Sequence, residues 1–489
     1  MHLIRKIFLT FLCFLFLTIS SFAISDDETQ VLTLKDCIEK ALNNSPIVKK
    51  QKLNYEMAKK DVKLAQSVYF PTLSGGVSYN FSDRESDVSS TSNNLGVSAS
   101  IKQLIWDFGK THADVKREKF YRIAAYYDFD TTVLDTILDT KVKYFTALAA
   151  KVAIEVDKTN LQINERNYQR TNAYFNEGLK SKIDLVNSEV YVTQAKVALI
   201  ASENLYKNSL SELNNAMYLA YHPEYHLEIP SEFSKVKDIT PESLTELDRP
   251  IEDFLAPPED ISDAVLTAKV DTTNYASLYK FDKFPYSFEE CLEIANKNRP
   301  DIKAYNSLLD AAKQQLLSVK RSIYPQLLFT GSYGYDGSNV NSITSDTNSF
   351  GIGVNLSTSI NAMNQKYKID SQKLQVELVE NDIDLLKQNI YFEVQQAYID
   401  MIEFQEQIPL LEQKIQQTLE NLELADGRYI VGLGDYIELQ NARMNYNTAQ
   451  HSFIQAVFKY NVAKAKLEKV IALDQKVTVR LEDKYNEIK

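Results

Sequence analysis

Between Val379 and Leu422 the apolar residues recur every three or four positions: Val379, Ile383, Leu386, Ile390, Val394, Ala397, Met401, Phe404, Ile408, Leu411, Ile415, Leu419 and Leu422. That spacing is the seam of a coiled coil, and the other faces carry Glu, Gln, Asn, Asp and Lys. It predicts one helix over residues 364–427, roughly 100 Å long at ~1.5 Å per residue, too long for the core of one compact domain. Pro409 removes a backbone donor inside it and predicts a kink. Leu134, Leu138, Val142, Phe145, Ala149, Val152 and Val156 repeat the pattern and predict a first long helix over 107–176. Glycine turns at Gly178 and at Gly432 and Gly434 then reverse the chain into return helices over 182–219 and 436–473.

Elsewhere the period changes from 3.6 to 2. Leu73, Gly75, Val77, Tyr79 and Phe81 alternate with Thr72, Ser74, Gly76, Ser78 and Asn80, and Leu95, Val97, Ala99 and Ile101 alternate with small polar residues. Leu327, Phe329, Gly331, Tyr333 and Tyr335, then Phe350, Ile352, Val354, Leu356 and Thr358, do the same. These predict two hairpins, at 72–104 and 326–360, each with an apolar and a small polar face. A sheet packed on a soluble core would alternate in the same way. Against that reading, the polar face is glycine- and serine-rich and no other segment is left to cover four strands. Strands of about ten residues with tyrosines near their ends suit a membrane barrel wall. Four strands cannot close, and an open edge in lipid leaves backbone groups unsatisfied, so strands must be pooled between chains.

Helices and hairpins belong to a duplication. Residues 36–41 return as 290–295, and at the same offset of 254 Asn44 meets Asn298, Pro46 meets Pro300, Pro71 meets Pro325 and Tyr79 meets Tyr333. Tyr144 meets Tyr398, Gly178 meets Gly432, Asn187 meets Asn441 and Tyr206 meets Tyr460. The plan is therefore a first repeat over 24–220, a connector over 221–285, a second repeat over 286–473 and a tail over 474–489. Each repeat opens with a short helix that stops before a proline, followed by a helix of about six turns. The connector is acidic and proline-containing, with one short helix expected near 261–269 and a place outside the bundle. Residues 1–23 read as a secretory signal: Arg5 and Lys6, an apolar run to Ile19, and Ser21-Phe22-Ala23 for cleavage.

Composition removes whole classes of function. A net charge of -12 argues against a nucleic-acid partner. Cys37 and Cys291 fall at equivalent places in the two repeats, which suits separate buried packing and not a bridge. The mature chain has four histidines, His112, His222, His226 and His451. His222 and His226 are spaced like metal ligands, but Pro223 and the connector setting argue against a ligand helix. No nucleotide-binding, nucleophile-elbow or zinc-protease motif occurs, so neither enzyme, cofactor nor metal site is expected. The pattern points to a conduit. An exported coiled-coil scaffold or adhesin is the alternative, although it has no need of two matched hairpins.

The sequence Ala-Leu-Asn-Asn-Ser-Pro at 41–46, Pro71 with Leu73, Trp106-Asp107-Phe108-Gly109-Lys110, and the turns at 175–185 and 429–439 give the whole mature chain its likeness. It resembles the TolC-like outer-membrane efflux proteins. The second copy departs from the pattern, with Asn361-Ala362-Met363-Asn364 where the first has Trp106-Asp107-Phe108-Gly109. The resemblance implies a mainly α fold with a β-barrel part: a homotrimer whose 12-stranded outer-membrane barrel continues into a periplasmic α-helical coiled-coil barrel. It also implies a periplasmic adaptor and an inner-membrane RND or ABC transporter as partners, besides outer-membrane lipid. Six tips then converge at the end far from the barrel. Asp184 and Asn187, like Glu438 and Asn441, stand three apart just inside the return helices and share a face. With Tyr429, which matches Phe175, they are the candidate aperture residues, the resemblance placing such positions at the periplasmic constriction. Asp184 and Glu438 also suit a helix N-terminus as such. Some members of the family have an arginine where this chain has Gly434, so a closing ion pair here falls to Arg428 or Arg443.

Overall fold

The computed structural model describes residues 30–84, 90–219, 225–228, 283–340, 343–430 and 432–473. The expected secretory segment, nearly all of the connector with its short helix, and the C-terminal tail lie outside the described residues. The first repeat comprises β1 (Gln30–Leu32), α1 (Leu34–Asn44), α2 (Pro46–Gln66), β2 (Thr72–Arg84), β3 (Ser90–Trp106), α3 (Lys110–Asn176) and α4 (Lys182–Ala216), and β4 (Tyr225–Leu227) follows it. The second comprises α5 (Phe288–Asn298), α6 (Pro300–Arg321), β5 (Gln326–Val340), β6 (Ile343–Ser357), α7 (Ala362–Ile430) and α8 (Tyr436–Val470). Corresponding helices agree to within two residues in length.

Local chemistry sets most boundaries. Thr33 and Asp36 form a capping box that starts α1, and Ser287 and Glu290 repeat it for α5. Ser45 is extended before Pro46, ends α1, and then caps α2 by accepting from the Val48 N–H at 3.2 Å. The helix α3 begins at Lys110 and not at the expected 107, because Phe108 and Gly109 take left-handed backbone at φ 57° and 83°. Glycine suits the second position because φ 83° strains any side chain, and a Cβ there would also displace the Arg321 guanidinium, 2.7 Å away. In the second repeat Asn361 Oδ1 accepts from the Asn364 N–H, as Asp107 accepts from Gly109 and Thr111. That pairs Asn361 with Asp107, one residue off the correspondence read from the sequence.

The return helices end three residues short of expectation, at Ala216 and Val470. Tyr218 and Ala472 adopt positive φ there, and Leu219 and Leu473 donate back to Asn214 and Glu468. These are left-handed helix stops made without glycine, which is why the sequence pattern ran past them. At Pro409 the helix continues unbroken. The residue lies on the exposed face, so α7 forgoes one backbone hydrogen bond without ending.

The four long strands form a single antiparallel sheet in the order β2-β3-β5-β6. Its register stacks like with like. Leu73 faces Ile101, Val77 faces Val97, Tyr79 faces Leu95, Ala99 faces Tyr333, Phe329 faces Val354 and Leu327 faces Leu356. The opposite face aligns Ser74 with Ser100, their hydroxyls 2.8 Å apart, and Asn355 Nδ2 donates to Thr330 Oγ1 at 3.0 Å. No described residue of these strands is buried, and Leu73 is 77% exposed. The soluble-core reading of the alternation is thereby removed, since no described residue forms a layer for the sheet to rest on. No described helix is long and apolar enough to cross a membrane.

Around the bundle's waist sits a short parallel pair absent from the sequence reading. Val31 of β1 pairs with His226 of β4. Tyr144 Oη donates to the Glu228 carbonyl at 3.0 Å and Lys151 Nζ to the Leu227 carbonyl at 2.8 Å, which fixes the start of the connector against α3. One continuous core runs along α3, α4, α7 and α8 and takes in α1 and α5. Its fully buried residues include Tyr144, Met401, Phe453 and Tyr460, worth about 1.5–3 kcal/mol for each large apolar side chain.

Cys37 and Cys291 lie in that core, each unpaired and without exposed surface. Burial pushes the Cys37 thiol up to about 12 and the Cys291 thiol up to about 11. Both therefore stay protonated far above neutral pH and lack the reactive thiolate. A thiol reagent at about pH 8 is expected to leave both unmodified in the native protein and to label both after denaturation. Fast labelling of the native protein would mean that α1 or α5 is not packed on the bundle.

Candidate functional site

Both long helices end at the same device. Gly178 and Gly432 take φ 75° and 77°, and Leu179 and Leu433 donate back to Tyr174 and Arg428 at 2.8 and 2.9 Å. This closes the last helical turn and aims the chain back along the rod. Gly434 serves a different purpose. A Cβ there would stand 3.1 Å from Arg428 Cβ and 3.3 Å from the Tyr429 nitrogen, so the small residue permits the second turn to fold tightly onto α7.

The expected aperture residues are not equivalent once placed. Asp184 closes a capping box: Ser181 Oγ donates to its carboxylate at 2.7 Å, and its own N–H donates to Ser181 Oγ. Glu438 is different, because Asp435 takes the N-cap role, accepting from the Glu438 N–H, and leaves the Glu438 side chain free of it. That carboxylate lies 3.5 Å from Arg428 Nε, with both side chains well exposed. Solvent screening holds such a pair to under about 1 kcal/mol. Asn187 is half-buried and Asn441 exposed, one helical turn beyond these acids.

Tyr429 does not line open space. It is 2% exposed, with Lys180 Nζ 4.2 Å from its ring centroid and Arg170 5.4 Å away. Tyr436 packs at 5.7 Å, and Tyr191 of α4 lies 5.9 Å beyond Tyr436. Burial raises the pKa of both Tyr429 and Tyr436, so each keeps its proton. The first repeat has a simpler version of this contact, Lys182 over the Phe175 ring at 5.4 Å. Tyr429 thus clamps the first repeat's turn against the second.

Behind this clamp is a cluster the sequence reading half saw. Arg443 was a candidate, but its partner is Asp426, and Asp426 is shared. Arg170 Nη2 approaches Asp426 Oδ1 at 3.3 Å and Arg443 Nη2 the same oxygen at 3.5 Å. The two guanidinium groups are 10% and 12% exposed. Burial, opposed by Asp426 and assisted by Arg170, pulls the Arg443 pKa down to about 10, so it remains charged near neutral pH. Arg170 and Asp426 escaped notice because neither has an equivalent at the repeat offset. The available signal was polar residues on a buried helix face: Asn164, Asn167, Arg170 and Thr171 are all buried near the end of α3.

The cluster joins α3 to both α7 and α8, and Tyr429 adds the first turn. This arrangement holds the two tips of one chain together by partly buried charge. Asp426→Asn removes the carboxylate that Arg170 and Arg443 share in a largely buried setting, and is expected to cost on the order of 3–5 kcal/mol. Glu438→Gln should cost under about 1 kcal/mol. Thermal or denaturant unfolding of both variants checks the contrast, and equal losses would refute the division between latch and exposed pair.

Comparison with known proteins agrees with this geometry. No curated protein matches the chain. Among solved structures, the CmeC outer membrane channel of Campylobacter jejuni is 16% identical, with a TM-score of 0.68 over 90% of this chain and 85% of that one. The open state of the MtrE outer membrane channel of Neisseria gonorrhoeae is 18% identical, with a TM-score of 0.64 over 90% and 88%. VceC, an outer membrane protein of Vibrio cholerae, is 14% identical, with a TM-score of 0.65 over 90% and 95%. These share the fold. The family model for outer membrane efflux proteins matches residues 37–217 and again 291–473, one match for each repeat. The duplicated helical chain, with its uncovered four-stranded sheet, belongs to the outer membrane efflux protein family.

Proposed function

We propose that three copies of this chain close into one tube through the outer membrane and periplasm, carrying substrates from an inner-membrane transporter and a periplasmic adaptor to the exterior. The observation that carries this reading is that each protomer ends in two complementary, unpartnered edges. Strands β2 and β6 are the sheet edges and run antiparallel to each other, so β6 of one copy can continue onto β2 of the next without breaking the alternation. Three copies then give 12 strands and leave no open edge.

The helices offer the same complementarity. Their contacts run α2-α3-α6-α7 beside the sheet and α4-α3-α8-α7 toward the tips, so α2 and α4 form one edge and α7 the other. On α7, Leu378, Leu385, Phe392 and Ile399 recur every seven residues and are exposed, opposite the buried Ile383 and Ile390. On α4, Ile183, Val190 and Val197 recur likewise, opposite the buried Ser188, Ala195 and Ser202. Met57 and Leu64 do so on α2. Seven-residue stripes on opposite edges are what a ring of coiled coils buries. A coiled-coil scaffold without a channel accounts for these stripes but not for the sheet.

In this assembly the polar sheet face lines the pore and the apolar face meets lipid. Val354→Arg should impair assembly by ~2–4 kcal/mol if near the midplane, whereas Asn355→Arg should be tolerated. Trimer recovery from outer membranes, read by cross-linking, tests this, and equal damage from both variants contradicts the assigned faces. A chain that remains monomeric in detergent-free buffer overturns the proposal itself.

At the tips, three copies of Glu438 would ring the pore and favour cations. Asp184, held to Ser181, contributes less. In planar bilayers Glu438→Gln, alone and with Asp184→Asn, is expected to weaken cation selectivity. Unchanged selectivity with unchanged opening would leave both acids as helix-end residues outside the pore.

A further inference from the structure

A cavity of about 570 Å³ lies across the middle of the bundle, bounded by α3, α4, α7 and α8. On α3, α4 and α7 the lining residues lie on the face turned away from the waist layer. On α3, Tyr144 and Lys151 reach β4 and the residue after it, whereas Thr146, Ala149 and Ala153 border the cavity about half a turn round. On α7, Tyr398 packs on Phe288 of α5 and Gln405 accepts from the Phe284 N–H, whereas Asp400, Glu403 and Phe404 border the cavity. On α4, Asn214 accepts from Tyr225 of β4, and Leu205 and Ser209 look the other way. If the waist layer lies outside the tube, this face lines its lumen. That placement rests on the trimeric reading above.

The cavity arises where the two repeats meet, and it arises from their differences. At the offset of 254, Ala149 corresponds to Glu403, Ala150 to Phe404 and Leu205 to Lys459, and all six line it. In the first two pairs the first repeat supplies alanine where the second supplies a long side chain, so long side chains in both repeats would have filled the space. Phe145, Phe404, Ile454 and Phe458 form an apolar and aromatic surface. Its charges balance: Asp400 and Glu403 of α7 against Lys459 and Lys466 of α8, with Lys459 Nζ 5.9 Å from the Phe404 ring centroid. His451, also on the lining, is bonded to the buried Asp157 at 3.0 Å. Asp400 and Glu403 each accept from a glutamine of their own helix, at 2.6 and 2.9 Å.

We propose that this cavity is a transit site for uncharged, fused-ring aromatic cargo, one site in each protomer of the tunnel wall. The volume falls within the range of drug-sized sites, about 300–1,000 Å³. Aromatic rings and alanines supply contact area, and the balanced rim gives no net attraction to a cation or an anion. Cargo held there on the wall would leave the tunnel axis free.

The test uses trimers in lipid nanodiscs and the neutral probe N-phenyl-1-naphthylamine, with empty nanodiscs subtracted. Saturable binding at one site per protomer is expected. Thr146→Trp, which fills the cavity from its exposed rim, and Phe404→Ala, which removes a stacking ring, should each raise Kd by about tenfold. Circular dichroism and trimer migration show that both variants remain folded. Ethidium and anilinonaphthalene sulfonate, carrying opposite charges, should bind more weakly than the neutral probe. Non-saturable uptake, equal Kd in the wild type and both variants, or displacement of the probe by added phospholipid overturns the proposal. The same trimers are fused to planar bilayers. If they conduct without binding the probe, the channel reading stands and the cargo site falls; if they do not conduct, the channel reading fails whatever the probe does.

Discussion

Every backbone N–H and C=O removed from water must find a partner, and this requirement governs the whole molecule. Within one chain the sheet meets it on three of its ladders and fails along β2 and β6. A protein meant to stay a soluble monomer blunts such edges with charge, proline or a covering helix. Here the edges are long and antiparallel to one another, and they belong to a sheet with one apolar face and, among the described residues, no layer on either side. The rest of the architecture follows from where those edges are completed.

The rods obey the same logic in a different currency. A helix satisfies its own backbone, so what α3 and α7 must hide is the apolar stripe. Each long helix uses one seam for its own return helix; α3 turns its other side to α6 and α8, and α7 leaves a second stripe at the protomer edge. Lengths must then match, because a short element would leave part of a stripe in water. The arrangement of α2 and α4 along one side of α3, and of α6 and α8 along the other, meets that demand with two shorter pieces on each side.

At the tips electrostatics replaces packing. Asp426 with Arg170 and Arg443, and Lys180 over Tyr429, tie one repeat to the other through groups that are largely desolvated. Arg428 and Glu438 remain in water. Breaking a buried charge arrangement strands a charge, whereas breaking an exposed one barely matters, so the tip is rigid inside and adjustable at its rim. The aperture proposed for the tips would use that division, since a few exposed contacts can change partners while the helices keep their register.

Periodicity in the sequence was sufficient for the long helices, the hairpins, their faces and the duplication, because helix and strand periods are local properties and identical residues recur at one offset. It was sufficient for the tip turns as well, since only glycine sits comfortably at the left-handed positions of Gly178 and Gly432. It overran the return helices, whose stops at Tyr218 and Ala472 use left-handed backbone without glycine. It missed the pairing of β1 with β4, each too short to show a period. Tertiary structure alone decided that Tyr429 is buried and not lining an opening, that Asp426 serves two arginines, and that alanines of one repeat face aromatic and charged residues of the other across a cavity. Those facts depend on which residues meet from segments more than two hundred positions apart, and no pattern along a single chain records a distance through space.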